Sequence, residues 1–164
     1  MSITASTTLE VMLNLIRVRL SYLFDPAAVT ASNRVFVVDK LRLQDGAVPN
    51  LQIEPISLQA IAEYSSMNIM AFEYKVHAVV KVELDQGQRS QKRMIGDSPG
   101  GGAYPKGAFK WATDVADRLI GYKPNTGSES QVFLRLENGT HDDVEGLASA
   151  AAHFRTMVRL MADG

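Results

Sequence analysis

The stretch that decides the fold is residues 68–84, which read NIMAFEYKVHAVVKVEL. Apolar side chains occupy alternate positions from Met70 to Leu84, and the positions between them are mostly charged or polar. This alternation predicts a β-strand with one buried and one solvated face. An unbroken strand would reach roughly 55 Å at about 3.3 Å per residue, whereas a domain of this size has a radius of gyration of about 15 Å. We therefore expect the strand to project from its own domain, unless a bulge at Ala71 or Val79 folds it back, and its apolar side to be covered by another subunit.

The composition of the chain excludes several classes of protein. It has 164 residues, a formal net charge of −1 and no cysteine. The length suits one domain over residues 1–164, and the balanced charge argues neither for nor against a nucleic-acid or membrane partner. The absence of cysteine excludes disulfides, cysteine-ligated zinc and thiol nucleophiles. No apolar run is long enough to cross a bilayer, and no secretory signal is recognisable, so a membrane partner is not expected.

Two segments have the periodicity of a helix. The first begins at a capping box formed by Thr7 and Glu10 and ends at Asp25. Its apolar residues occupy more than one stripe, so we expect burial on more than one side, either under a sheet or against a neighbouring subunit. The second helix is predicted over residues 108–122, with Gly121 and Pro124 as its termination signals. Its predicted buried stripe consists of Phe109, Ala112, Val115, Ala116, Leu119 and Ile120, with Trp111 beside it.

Further strands are predicted on both sides of the long strand. Residues 35–43 and 51–58 precede it, and Pro55 makes the second of these an edge strand or a broken one. Residues 131–137 and 152–161 follow the second helix as a strand pair. In the first strand of that pair, the side chains expected to face inward are Val132, Leu134 and Leu136. In the second strand they are Phe154, Thr156, Val158 and Leu160.

The order of these elements indicates the fold class. Residues 144–151, between the last two strands, are interpreted as a connector. No alternation of strand, helix and strand is visible along the chain, so parallel crossover units are not expected. The sequence therefore predicts an α+β fold with a central, mainly antiparallel sheet flanked by two helices.

Residues 85–107 form the longest irregular segment, and they are rich in glycine. A loop of this length inside one domain is either functional or disordered, and such a loop often becomes ordered only on a partner. Cations on a flexible loop bind phosphates or acidic protein surfaces. The candidate protein or DNA contacts are Arg89, Lys92, Arg93 and Lys106. Aromatic residues are not interleaved with this cluster, so recognition of a base sequence is not expected.

The same loop offers the alternative of a phosphate site ahead of a helix. The order Lys106-Gly107-Ala108 departs from the Walker pattern, in which a glycine precedes lysine and a hydroxyl residue. Ser98 lacks the flanking glycines of a nucleophile elbow. A surface loop is therefore favoured over a phosphate site, and neither a catalytic residue nor a cofactor is predicted.

Three histidines are the remaining candidates for a metal site. His77 and His153 are predicted on the polar face of two strands, where Glu73 or Glu83 could complete a ligand set. Exposed sheet histidines are the favoured interpretation. The run His141-Asp142-Asp143 follows Asn-Gly, which is typical of a solvated turn rather than of a magnesium or calcium site. No metal site is therefore predicted.

Several pieces of the chain, taken in order, resemble one protein family. They are the amphipathic helix from Thr7, the proline-led strand Pro49-Asn50-Leu51-Gln52-Ile53, the strand Phe72-Glu73-Tyr74-Lys75-Val76-His77, the helix end Ala116-Asp117-Arg118-Leu119-Ile120-Gly121-Tyr122-Lys123-Pro124 and the closing strand Phe154-Arg155-Thr156-Met157-Val158-Arg159-Leu160. The chain is similar to the tail terminators, or tail-completion proteins, of long-tailed bacteriophages, including the related group in Mu-like phages. The loop at 85–107 and the strand at 35–43 depart from the family pattern.

The resemblance implies a structural protein of the virion, assembled in the host cytoplasm and without enzymatic activity. It implies a homohexameric ring at the head-proximal end of the tail tube, which stops tail polymerisation and joins the tail to the head. The implied partners are copies of itself, the tail tube protein, the neck or connector protein, and the sheath protein if the tail is contractile. Non-specific contact with DNA in the lumen is a further expectation. The alternatives are another neck or head–tail connector protein, a small phosphate- or nucleotide-binding domain, and a simple adaptor.

Overall fold

The computed structural model of the protein describes residues 5–43, 47–61, 69–81, 107–124, 128–139 and 147–159. Within these ranges the chain forms two helices and five strands. In chain order they are α1 (Ala5–Ser21), β1 (Val35–Val37), β2 (Asn50–Ala60), β3 (Ile69–Lys81), α2 (Ala108–Leu119), β4 (Val132–Gly139) and β5 (Leu147–Arg159). The fold is α+β with a central sheet, which confirms the predicted fold class. Neither described helix is long and apolar enough to cross a membrane.

The strands form one sheet in the order β1-β2-β3-β5-β4. β1 pairs with β2 in parallel, and the other three pairings are antiparallel. All 13 residues of β3 pair with β5 without a register shift, from Ile69 opposite Arg159 to Lys81 opposite Leu147. The long alternating stretch therefore lies in the middle of the sheet.

One face of the sheet and the two helices enclose the core. Alternate residues of β3 point into it, and their aromatic rings form a continuous row. The Phe72 and Tyr74 centroids are 5.3 Å apart, and Tyr74 lies 5.5 Å from Phe154 on β5. Phe133 on β4 continues the row at 5.9 Å from Phe154. Rings at these separations contribute beyond the apolar area that they bury, so the row ties three strands together.

The apolar side of β3 is buried within the single chain, so the expectation that another subunit covers it is wrong. Phe72, Tyr74 and Val76 are buried against the helices and the neighbouring strands. Ala71 and Val79, which break the alternation, are also buried, on the opposite face. The reason is that β2 and β5, with 11 and 13 residues, flank β3 on both sides. The strand does not need a bulge, because its neighbours are nearly as long as it is.

The helices differ from the prediction at their ends and on their faces. α1 begins at Ala5, so Thr7 lies inside the helix and is not its N-cap. Its fully buried apolar residues, Met12, Ile16 and Leu20, form a single stripe, and Val11 on another side is 47% exposed, so burial on more than one side is wrong for the single chain. α2 ends at Leu119, and the next residues turn through Gly121, whose φ of +78° is the left-handed conformation that glycine favours. Of the predicted α2 stripe, Phe109 is partly buried and Ile120 is exposed.

The outer strands also differ from the prediction. β1 contains only Val35–Val37. Farther along the chain, the backbone of Arg42 bonds the side chain of Gln52 on β2 and not the backbone of that strand. β2 is interrupted by a bulge between Pro55 and Ser57, as the proline predicted. β5 begins at Leu147, so most of the expected connector is strand. Its alanines carry no polar–apolar alternation by which a strand could be recognised.

The hydroxyl of Tyr74 gives a test of the core. It is buried and has no hydrogen-bond partner within the described part of the chain, and burial raises its pKa well above the ordinary value of 10.0, so it stays neutral. Tyr74→Phe removes an unpaired polar group and keeps the ring, so the free energy of unfolding should stay constant or rise by up to about 1 kcal/mol. Tyr74→Leu, which breaks the aromatic row, should lower it by about 2 kcal/mol. Urea unfolding measures both, and a marked loss in Tyr74→Phe would contradict the unpaired hydroxyl.

Candidate functional site

The residues predicted as contacts, Arg89, Lys92, Arg93 and Lys106, lie outside the described residues. The same holds for Ser98, for the His141-Asp142-Asp143 turn and for Glu83. Those predictions stay predictions. The described part of the chain offers two other surfaces: a row of charged side chains on the outer face of the sheet, and an apolar edge at β4.

The two sheet histidines lie on the face opposite to the helices, as predicted, but they are not exposed. His77 on β3 and His153 on β5 each have only 7% of their surface exposed. Their acidic partners come from the flanking strands, Glu54 from β2 and Glu137 from β4, and Glu73 is not among them. The prediction of exposed sheet histidines is wrong because both lie on the two central strands.

Each histidine donates to one carboxylate. Nε2 of His77 lies 3.2 Å from Oε1 of Glu54, whose other oxygen is 3.7 Å from Nζ of Lys75. Nε2 of His153 lies 2.9 Å from Oε2 of Glu137. Arg135 completes the set, with a guanidinium nitrogen 3.6 Å from the same oxygen of Glu137. These six residues form an outer-face charge row that crosses β2, β3, β5 and β4.

The pKa values of the row follow from burial and from these bonds. Burial lowers the pKa of His77, and the charge of Lys75 acts in the same direction, while the bond to Glu54 opposes them. For Glu137, burial alone would raise the pKa of the carboxyl. The hydrogen bond from His153 and the positive charges of Lys75 and Arg135 outweigh it, so the pKa falls below its ordinary value. Near neutral pH, His77 is therefore uncharged and Glu137 is ionised.

The charge row has the chemistry of a structural network. Its carboxylates already accept bonds from histidine and are compensated by lysine or arginine. Within the described ranges, no group of three or more histidine, aspartate or glutamate side chains is arranged to hold a metal ion. Paired charges at one level of four strands favour a single register, because a slip of one residue would move every partner to the other face.

The second surface is the edge formed by β4, where the predicted burial is wrong. Val132, Leu134 and Leu136 were expected to face inward, yet they are 55%, 47% and 37% exposed. The residue that packs on the core is Phe133. A register shift between Phe133 and Arg135 inserts Leu134 as an extra residue, so the inward positions change parity along the strand. A strict two-residue alternation cannot reveal such a bulge.

The sheet has a second open edge on its far side. β1 covers only Leu51, Gln52 and Ile53 of β2. From Glu54 to Ala60, β2 pairs only with β3 among the described residues, and Ile56 in this segment is exposed. On the other side of the sheet, β4 is the last described strand. The backbone of Gln131, just before β4, still bonds the backbone of Gly121 and Tyr122. Beyond Gln131, the outer edge of β4 has no paired strand among the described residues. Unpaired strand edges are ready sites for pairing with another chain.

Comparison with protein-family models and with curated proteins finds no match to this chain. The fold and the two surfaces therefore carry the functional argument, together with the resemblance in sequence pattern.

The charge row yields a stability prediction. Glu54→Gln keeps the size of the side chain but leaves the partly buried charge of Lys75 without its counter-charge. The free energy of unfolding should fall by about 1–2 kcal/mol. Asp39→Asn is the matched control, because it breaks an ion pair with Arg42 whose partners are both exposed, and it should leave stability essentially unchanged. Equal effects of the two substitutions in urea unfolding would contradict a structural role for the row.

The lowered pKa of His77 predicts a pH dependence. The unfolded chain takes up a proton near the ordinary value of 6.5, whereas the native chain does so only at lower pH. The stability is therefore complete above pH 6.5 and falls as the pH is lowered through that value towards the depressed pKa. Glu137 titrates below 4.5 and does not contribute in this window. His77→Gln should flatten the fall between about pH 7.5 and 5.5, and an unchanged slope would rule out His77 as its source.

Proposed function

We propose that this protein is a structural subunit of a long-tailed bacteriophage, which forms a ring at the head-proximal end of the tail tube. The ring ends tail polymerisation and provides the joint to the neck or connector. The proposal rests on the resemblance to tail terminators in the order of helices and strands, and the α+β fold with its central sheet agrees with that family. Copies of the chain are the first partner, and the tail tube protein and the neck protein are the others.

The observation that carries the proposal is the pair of open edges on opposite sides of one sheet. A ring requires head-to-tail contacts, in which two different surfaces of the same molecule meet. The edge of β4 and the edge of β2 from Glu54 to Ala60 are two such surfaces, and both carry exposed apolar side chains. Among the described residues both edges are unpaired, and in the proposed ring the β4 edge of one copy would pair with the β2 edge of the next.

The energetics of this contact are favourable for assembly. Full burial of a valine or leucine side chain contributes about 1.5–3 kcal/mol. The three apolar side chains of β4 are already partly covered, so each would contribute a fraction of that amount. Backbone pairing adds direction and register to the contact. Within the described sheet, the exposed large apolar side chains lie on the outer strands β1, β2 and β4.

Substitution on β4 tests the assembly. Val132 lies opposite Arg155, so Val132→Glu places a carboxylate beside a cation and should not harm the fold. It adds a charge to the open edge, and it should shift the protein from a ring to single subunits in size-exclusion chromatography with light scattering. Val29→Glu is the matched control, since Val29 is 86% exposed and lies in the turn region after α1. It should keep the ring.

The same experiment contains the result that would contradict the proposal. A wild-type protein that remains a single subunit at all concentrations would exclude a ring of its own copies. A ring that persists in Val132→Glu would exclude β4 as its interface. The tail function has a separate test, in which purified protein is added to tail tube protein of the same virus during polymerisation. Shorter tubes with one capped end are expected, and tubes of unchanged length would contradict a terminating role.

A further inference from the structure

The C-terminal ends of α1 and α2 meet at two arginines, Arg19 and Arg118. Nε of Arg19 donates to the backbone oxygen of Arg118 at 3.1 Å, and Nε of Arg118 donates to the backbone oxygen of Arg19 at 3.2 Å. Each side chain thus binds the backbone near the end of the other helix, where the carbonyl groups carry partial negative charge. The reciprocal bonds therefore tie the two arginines to one another's helix ends.

Each guanidinium is also fixed by an aromatic ring. The Cζ atom of Arg118 lies 3.9 Å from the centroid of Tyr22, and that of Arg19 lies 4.7 Å from the centroid of Tyr122. A guanidinium has five N–H groups, and the bonds described above use one of them. The two arginines therefore present most of their donors in fixed positions. Donors held in this way lose little freedom when they bind a planar oxyanion.

The two charges have no counter-charge in the described structure. Among the described arginines only Arg42 and Arg135 pair with a described carboxylate, and Arg19 and Arg118 belong to the remainder, which have none within 4.0 Å. The helix-end carbonyls and the tyrosine rings offset part of each positive charge. A bound carboxylate would supply the full counter-charge that the described residues do not.

The surroundings of the pair indicate the kind of anion. Both arginines are only partly buried, Tyr22 and Ile120 are exposed, and Lys123 lies exposed nearby along the chain. Arginine and tyrosine on one surface are typical of the residues that dominate protein–protein binding. Two guanidinium groups can bind carboxylate or phosphate, and the exposed apolar and aromatic side chains around them favour a protein as the source of the anion.

We propose that Arg19 and Arg118 form a carboxylate-binding site, which docks an acidic segment of a protein partner on the helical side of the molecule. Tyr22 and Tyr122 position the two guanidinium groups, and Ile120 supplies apolar contact at the rim. The site depends neither on the β4 edge nor on ring formation, so it can hold or fail independently of the proposed function.

Nuclear magnetic resonance titration tests the site on the whole wild-type chain, and on Val132→Glu as well if the wild-type chain assembles. The probe is a hexaglutamate peptide at low salt, and the signals observed are the Nε–Hε groups of all arginines. The Arg19 and Arg118 signals should shift together and saturate. Arg118→Lys, which keeps the charge but loses the fork, should weaken binding by about threefold, and the double substitution Arg19→Gln with Arg118→Gln by about tenfold or more. Arg159→Gln removes an exposed charge at the end of β5 and should leave binding unchanged.

The outcomes that overturn the inference are equally specific. Peptide shifts at other arginines, with Arg19 and Arg118 unmoved, would place the acidic contact elsewhere. A response to single-stranded DNA or to inorganic phosphate without one to the peptide would replace the acidic protein segment by a phosphate ligand. Absence of any response at the pair in the wild-type background would remove the site. The wild-type shifts decide the question even if the double substitution prevents folding.

Discussion

The pairing of β3 with β5 along their whole length is the constraint on which the rest of the structure depends. It is antiparallel and free of register shifts over the 13 residues of each strand. Because the register is fixed, the residues that face the helices are fixed as well, and Tyr74 lies opposite Phe154 in the aromatic row. The same register places Lys75 opposite His153 on the other face. Core and charge row are therefore two consequences of one pairing.

The position of this central pair also determines which strands lie towards the edges of the sheet. β2 and β4 lie outside it, and neither is covered along its full outer edge in the described structure. β4 has a bulge that turns Leu134 away from the core, and β2 has a bulge at Pro55. Surplus apolar surface thus lies at the rim of the sheet and not on its central strand. The buried β3 gives no reason for self-assembly, and in the proposed ring the two edges of the sheet provide the contacts instead.

The sequence predicts the parts of this fold that depend on local patterns. The alternation of β3, the stripe of α2 and the glycine at position 121 each follow from the period of one element. The burial of His77 could not be predicted, because it depends on Glu54, which reaches it from a strand more than 20 positions away in the chain. The outward position of Val132 depends on a bulge between Phe133 and Arg135 that the local sequence does not indicate. The start of β5 lies in a run of alanines, whose small side chains give no contrast between its two faces.

The Arg19–Arg118 pair was not predictable for a related reason: the two residues are 99 positions apart, and only the packing of α1 on α2 brings them together. The arginine of α2 was visible only within the helix end that resembles the tail-terminator pattern. Its pairing with a second arginine, and the absence of a described carboxylate beside them, require the tertiary structure.

Hydrogen–deuterium exchange measured below and above the concentration of assembly tests the central claim most directly. In this account, β3 is fully paired within one chain and the β4 edge is paired by a second copy. The amides of β3 should then exchange slowly at both concentrations. Those of β4 then exchange quickly in single subunits and slowly in the assembly. Fast exchange of β3 in single subunits, or exchange of β4 that does not change when the protein assembles, would contradict the account.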